Sequence, residues 1–244
     1  MAKRYLIVNA DDFGRSRGIN QGIAECHEHG IVTSASLMVS WPAAVEAAAF
    51  ARAHPRLSVG LHVDLGERAA ENGNWRTLYE RVSEPGKDAV SAEIGAQLDG
   101  FRELLGRDPT HVDGHQHAQR KEPARSILLD LAAELGVPLR EFSSRVRYSG
   151  SFYGQTSHGE PVPGAISVEG LLTTLSELPP GVTEVGCHPA ASEDFESMYL
   201  SERLEELRTL CDPRVADELV AAEIALLSFA DLRQNPPDDV HPTG

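Results

Sequence analysis

Asp11 and Asp12, side by side, and the histidines His62, His115 and His188 are the residues of this chain whose types and placement could do hydrolytic chemistry. Each lies at or just beyond the end of a short apolar run of strand-forming residues. Adjacent carboxylates repel, so such a pair calls for a counter-charge. A divalent cation that takes one of them removes the objection and leaves the other free to accept a proton. One carboxylate with two imidazoles also leaves coordination positions open for water and substrate, as catalytic sites require and structural sites do not. Such a cation would lower the pKa of a coordinated water toward about 7 in the zinc case. A carboxylate base then suffices for attack on an amide carbonyl, and His188 on the opposite rim could protonate the departing amine.

Taken singly, each residue has a plainer role. Asp11-Asp12 could cap a helix before Gly14, His62 could be a hydrogen-bonded core residue, and His188 could merely close a strand before Pro189. For all of these to hold, four strand ends must carry such residues by coincidence. His115 and His117 are expected to alternate on a strand, so that only one faces the site. His27, His29, His54, His111, His158 and His241 fall outside the constellation and take no assigned role.

The elements that would position these side chains alternate in kind. Strands are expected at 5–8, 31–39, 57–65, 110–113, 137–140, 182–187 and 224–229. Helices are expected through Ile19, Ile23 and His27, then at 42–53, 91–105, 123–135, 168–178, 199–211 and 213–223. The third of these carries Ile94, Leu98, Phe101 and Leu105 at helical spacing. Segment 143–164 is polar and aperiodic and reads as a long functional loop or lid. Repeated strand–helix units imply a parallel sheet with helices outside. About seven such units favour an α/β fold closed, or nearly closed, into a barrel, with an open doubly wound sheet as the rival. Either way, functional residues belong at the carboxyl ends of strands. One domain over 1–232 and a flexible Pro/Asp-rich tail over 233–244 are expected.

Composition narrows the function classes. With 244 residues, 41% hydrophobic and 24% charged, the chain can bury a sizeable core. A formal charge of -15, spread along the chain, argues against nucleic acid and against an anionic membrane surface. Cys26, Cys187 and Cys211 are odd in number and widely spaced, which argues against a disulfide framework or a thiolate zinc site. No stretch approaches the length of a membrane span, and the start leads straight into a strand, so a cytoplasmic location is expected.

Residues 8–14 (Val-Asn-Ala-Asp-Asp-Phe-Gly), 30–34 (Gly-Ile-Val-Thr-Ser), 60–62 (Gly-Leu-His), 110–117 (Thr-His-Val-Asp-Gly-His-Gln-His) and 187–189 (Cys-His-Pro) resemble, in content, order and spacing, the YdjC-like (ChbG-type) carbohydrate deacetylases. The resemblance runs from about residue 4 to residue 232. It implies a deformed TIM-like barrel, a divalent metal such as magnesium or zinc, and hydrolysis of the acetamide of N-acetylglucosamine units in chito-oligosaccharides or related sugars. By position it assigns Asp12, His62 and His115 to the metal, Asp11 to the base and His188 to the acid. Arg140, His117 and Asp64 are implied near the substrate, and a homodimer is implied as the assembly. The chain departs from the pattern at Ala190, where Gly is usual, at Ala118-Gln119, where another His is common, and at Asp64, where many relatives have Asn. These changes bear on substrate choice.

Other readings are a metal-dependent hydrolase of a different amide or of an ester, and a sugar-binding protein without catalysis. The acidic balance and the lack of a glycine-rich phosphate loop count against a phosphoester. The presence of both aspartates counts against loss of catalysis.

Overall fold

The computed structural model describes residues 3–71, 74–83 and 86–234. Most of the expected tail, 235–244, therefore lies outside the described residues. The chain begins with β1 (Arg4–Phe13) and α1 (Arg17–His29), followed by β2 (Ser34–Leu37), α2 (Ala44–Ala53) and β3 (Ser58–Val63). An antiparallel hairpin, β4 (Gly66–Glu71) and β5 (Asn74–Glu80), precedes α3 (Lys87–Leu105) and β6 (Val112–Gly114). Then come a 3-10 turn (His115–Arg120), α4 (Ala124–Leu135), β7 (Arg147–Ser149), α5 (Val168–Ser176) and β8 (Gly181–Cys187). The described chain closes with α6 (Ser201–Leu210), α7 (Pro213–Ala221), β9 (Ile224–Leu226) and α8 (Phe229–Gln234). No helix among the described residues is long and apolar enough to cross a membrane.

The main sheet is parallel throughout, in the order β6-β3-β2-β1-β8-β7, with β9 also pairing to β1. It is rolled into a deformed, incomplete TIM-like barrel. Leu139 bridges to Val112 beside β6, five strand positions from β8, or about 24 Å across a flat sheet. Yet the guanidinium of the next residue, Arg140, lies 2.7 Å from Glu184 on β8. Only a curled sheet brings those ends together, which decides against the open doubly wound alternative.

Alternation along the strands then sorts chemistry from packing. On β1, Leu6, Val8 and Ala10 belong to the large core shared with the outer helices. Ile7, of opposite parity, joins Val146, Val182, Phe229 and Leu232 in a small separate cluster that α8 completes. Ile7, Asn9 and Asp11 thus share the inner face, apolar at one end and polar toward the carboxyl end. Helix ends are set locally. Ser16 and Ser167 cap α1 and α5 by accepting from Ile19 and Gly170 amides, and Asp212 with Pro213 starts α7.

Several expectations need correction. The segment 137–140 makes only an isolated bridge, and the strand that joins the sheet is 147–149, inside the expected long loop. The β4–β5 hairpin was not anticipated, because its sequence is charged and carries little apolar alternation. Asp64, expected near the substrate, is 1% exposed and acts as the hairpin's anchor. Its carboxylate accepts from Trp41 Nε1 at 3.0 Å, Tyr79 Oη at 3.0 Å, Arg81 Nε at 2.7 Å and the Gly66 amide at 3.1 Å.

Asp64→Ala should therefore leave several half-buried donors unpaired, a loss on the order of 3 kcal/mol. For a chain of this size that is a fall in Tm of roughly 6–12 °C. Thermal unfolding checks it; a Tm within about 2 °C of wild type would show that the anchor contributes little.

Candidate metal centre and active site

The two aspartates sit where strand geometry would ordinarily send them to opposite faces. The register between β1 and β2 shifts between Ala10 and Phe13, and Asp12 adopts a left-handed φ of 66°. This local twist, which costs a non-glycine residue about 1–3 kcal/mol, brings both carboxylates into the barrel mouth. Neither caps a helix, since the N-cap of α1 is Ser16. Asp12 is fully buried and Asp11 nearly so.

Around Asp12 the expected metal ligands converge. His62 Nε2 lies 3.4 Å and His115 Nδ1 3.0 Å from Asp12 Oδ1. One potential ligand atom from each of Asp12, His62 and His115 falls within 4.8 Å of the others. A second group, Asp11, His62 and Asp113, meets the same criterion. Hydrogen bonding separates the two. Asp12 Oδ1, His62 Nε2 and His115 Nε2 are buried without a hydrogen-bond partner, a costly arrangement unless a ligand completes it. The carboxylates of the second group are already taken by Arg140. Its guanidinium donates to Asp11 Oδ2 at 2.6 Å and Asp11 Oδ1 at 2.7 Å, and reaches Asp113 Oδ2 at 2.8 Å. A cation there would face a buried positive charge. The donor set of Asp12, His62 and His115, one oxygen and two imidazoles, suits a divalent metal with open positions.

The supports of this set lie one layer back. His62 Nδ1 pairs with Asp113 Oδ1 at 2.7 Å, which leaves Nε2 for the centre. Arg203 on α6 pairs with the other oxygen of Asp12. His115 Nε2 is 3.6 Å from Glu67 on β4, which in turn pairs with Arg15. Burial raises the pKa of Asp12, but Arg203 and His115 outweigh it and hold the carboxyl well below its ordinary range. For Asp11, burial is likewise outweighed by Arg140, so it stays ionised. Burial alone would lower His62, yet Asp113 and Asp12 push it up to about 10.

His188 stands across the mouth with Nε2 3.7 Å from Asp11 Oδ2. Its ring contacts Tyr153 and Tyr199 edge-on, and its backbone amide donates to Glu206. Burial drives His188 down to about 4, so the resting ring is neutral. Glu206, buried beneath it, is pushed up to about 8.

The remaining expectations fare differently. Arg140 is 4% exposed and bound to Asp11, Asp113 and Glu184, so it holds those carboxylates in place. His117 is not on a strand: Gln116 and His117 have φ of 48° and 55° in the turn after β6. That turn, and not strand alternation, sends His115 inward and leaves His117 on the rim, 3.1 Å from Glu141. A cavity of about 820 Å³ lies beyond Arg15, between Trp41, Tyr79 and Phe195, and includes none of the converging histidines. Sequence reasoning missed Arg203, Glu206, Glu184, Glu67 and Arg15. Glu184 alone had a readable signal, as a lone acid within an apolar strand.

A family model described as YdjC-like protein matches residues 5–221. A carbohydrate deacetylase of Geobacillus stearothermophilus is 31% identical, covering 93% of this chain and 98% of its own length. A chitooligosaccharide deacetylase of Serratia marcescens is also 31% identical, covering 94% of this chain and all of its own. Among solved structures, a protein of Enterococcus faecalis V583 provisionally assigned to cellobiose-phosphate cleavage aligns with a TM-score of 0.74 and 25% identity. That alignment covers 95% of this chain and 99% of the other.

Because His62 is raised to about 10, the metal-free protein carries the imidazolium at pH 7. A metal needs the bare nitrogen, so binding must expel that proton and apparent affinity must rise with pH up to about 10. Titration calorimetry in buffers of different ionisation enthalpy should show about one or more protons released per ion at pH 7. Release of none would contradict the site.

Proposed function

This chain belongs to the YdjC-like protein family, and from that premise we propose that it is a metal-dependent hydrolase that removes the N-acetyl group from an amino sugar or chito-oligosaccharide. The observation that carries the reading is the convergence of Asp12, His62 and His115, one ligand atom of each within 4.8 Å of the others, with Asp12 Oδ1 and His62 Nε2 buried and without a hydrogen-bond partner, beside the ionised Asp11 and the neutral His188. A divalent cation held by Asp12, His62 and His115 would polarise the acetamide carbonyl and acidify water in the site.

The chain's own residues account for the protons. Asp11, kept ionised by Arg140, accepts the proton of the attacking water. His188 is neutral at rest, so the proton it gives to the departing amine is one it must first receive. Asp11, 3.7 Å away, is the natural source. Water adds to the carbonyl carbon, the C–N bond breaks, and acetate and the free amine leave. His117 on the rim is the candidate for sugar contact.

In the same proposal the cation is magnesium or zinc, the domain spans 1–232, and the working form is a cytoplasmic homodimer with no nucleic-acid or membrane partner. Zinc satisfies the mixed nitrogen and oxygen set readily, while magnesium prefers an oxygen-rich one.

Acetate release from N-acetylglucosamine and short chito-oligosaccharides, before and after metal stripping and refilling, tests the reading; no release with any metal would overturn it. Asp11→Asn should lower kcat by at least about 100-fold, in line with loss of a general base, while metal content stays near that of wild type. His62→Ala should instead lose the metal. If Asp11→Asn loses the metal, the two aspartates have been assigned the wrong way round, and normal metal content in His62→Ala would defeat the ligand set.

A further inference from the structure

His111 has no part in the chemistry above, yet its ring is held by stacking, close packing and hydrogen bonds. It stacks on Phe229 of α8 with centroids 3.8 Å apart and an interplanar angle of 20°. On another side, a Cβ at Gly60 would come within 2.5 Å of the ring, so only glycine leaves it room. Both ring nitrogens are engaged: Nε2 lies 3.0 Å from Ser36 Oγ and Nδ1 lies 3.0 Å from Thr110 Oγ1. Ser36 Oγ donates to Asp113 Oδ2 at 2.7 Å, and Asp113 Oδ1 holds His62 Nδ1. In the other direction, Ser58 Oγ donates to Thr110 Oγ1 at 2.7 Å and accepts from the Ala230 amide at 3.1 Å. Ser36, Ser58, Thr110, His111 and Asp113 are all buried.

Proton counting gives this chain one direction. An ionised carboxylate only accepts, so the single hydroxyl proton of Ser36 goes to Asp113. Ser36 can then only accept, from Asn9 Nδ2 at 2.8 Å and from His111. His111 must therefore carry its proton on Nε2, and as a neutral ring it accepts at Nδ1. Thr110 must donate there, and can accept only from Ser58. Every donor along the line, from the first turn of α8 to the barrel mouth, points toward Asp113.

We propose that Ser36 and His111 are positioning residues for the metal centre: through Asp113 they fix His62 with its proton on Nδ1 and its Nε2 presented to the cation. The proposal rests on the assignment of Asp12, His62 and His115 as ligands. Chains of buried hydrogen bonds polarise one another, and an oriented donor line strengthens the anion at its end. Asp113 has Arg140 for charge, and the Ser36 hydroxyl at 2.7 Å, with the longer Asn9 Nδ2 contact at 3.4 Å, holds Oδ2 so that Oδ1 faces His62. The line also explains why glycine stands at position 60 and why α8 closes the barrel with an aromatic residue.

The test compares zinc affinity, by competition with a chromophoric chelator, in wild type, Ser36→Ala, His111→Phe and His111→Gln. Loss of an outer partner of a metal ligand typically weakens binding about 10–100-fold. Ser36→Ala should lie near tenfold and His111→Phe, which keeps the stacked ring, should weaken in the same direction. His111→Gln, which can restore a donor toward Ser36, should recover most of the loss at a similar metal-free Tm. A merely structural His111 would show no such rescue. Wild-type affinity in Ser36→Ala and His111→Phe would overturn the proposal.

A second measurement stands clear of both folding and metal binding. Nitrogen-15 NMR of the metal-free wild type, labelled at histidine, should show His111 as the neutral Nε2–H tautomer. The Nδ1–H tautomer would reverse the line and overturn the proposal. If wild type binds no zinc, the ligand assignment fails, and the tautomer alone decides the direction of the line.

Discussion

One guanidinium makes the interior of this barrel possible. Asp11, Asp113 and Glu184 come from three different strands and are all buried. Carboxylates about 4 Å apart repel by roughly 4 kcal/mol per pair at the effective dielectric of a protein, and each buried charge adds a desolvation cost of several kcal/mol. Arg140 touches all three within 2.8 Å. The balance is uneven. Asp11 and Asp113 are held low by it, while burial leaves Glu184 raised to about 7. Glu184 is the least neutralised member. Arg203 serves Asp12 in the same way from α6.

This neutralisation also decides where a cation can go. His62 belongs to both clusters of potential ligands, but Arg140 fills one of them. What is left is the group of Asp12, His62 and His115, in which Asp12 Oδ1 and His62 Nε2 lack hydrogen-bond partners, built on a left-handed aspartate at the end of β1 and a left-handed turn after β6. Two departures from ideal backbone, one at each side of the mouth, aim side chains that regular strands would have turned away. The strain is local and the surrounding sheet is continuous.

Much of this was legible in the sequence, for identifiable reasons. Apolar runs ending in Asp11-Asp12, His62, His115 and His188 marked both the strands and the rim, because parallel strands deliver polar residues only at their ends. The barrel followed from the number of repeated units. What could not be read were contacts between segments distant in the chain. Arg203 and Glu206 sit on a helix rich in charges, where nothing distinguishes the two that turn inward. Arg140 and Asp64 stand near strand ends, but nothing in the sequence names their partners, which come from residues 11, 113 and 184 for one and from 41, 79 and 81 for the other. The hairpin was missed because its polar strands carry no periodic signal. His115 and His117 are separated by a turn, which does what strand alternation was expected to do.

The most direct test of the central claim is zinc-edge anomalous diffraction from crystals of the zinc-loaded protein. One peak bounded by Asp12, His62 and His115, with nitrogen ligands at about 2.0–2.1 Å and Arg140 still bound to Asp11 and Asp113, is the predicted result. A peak between Asp11, His62 and Asp113, with Arg140 displaced, would contradict the account at its root.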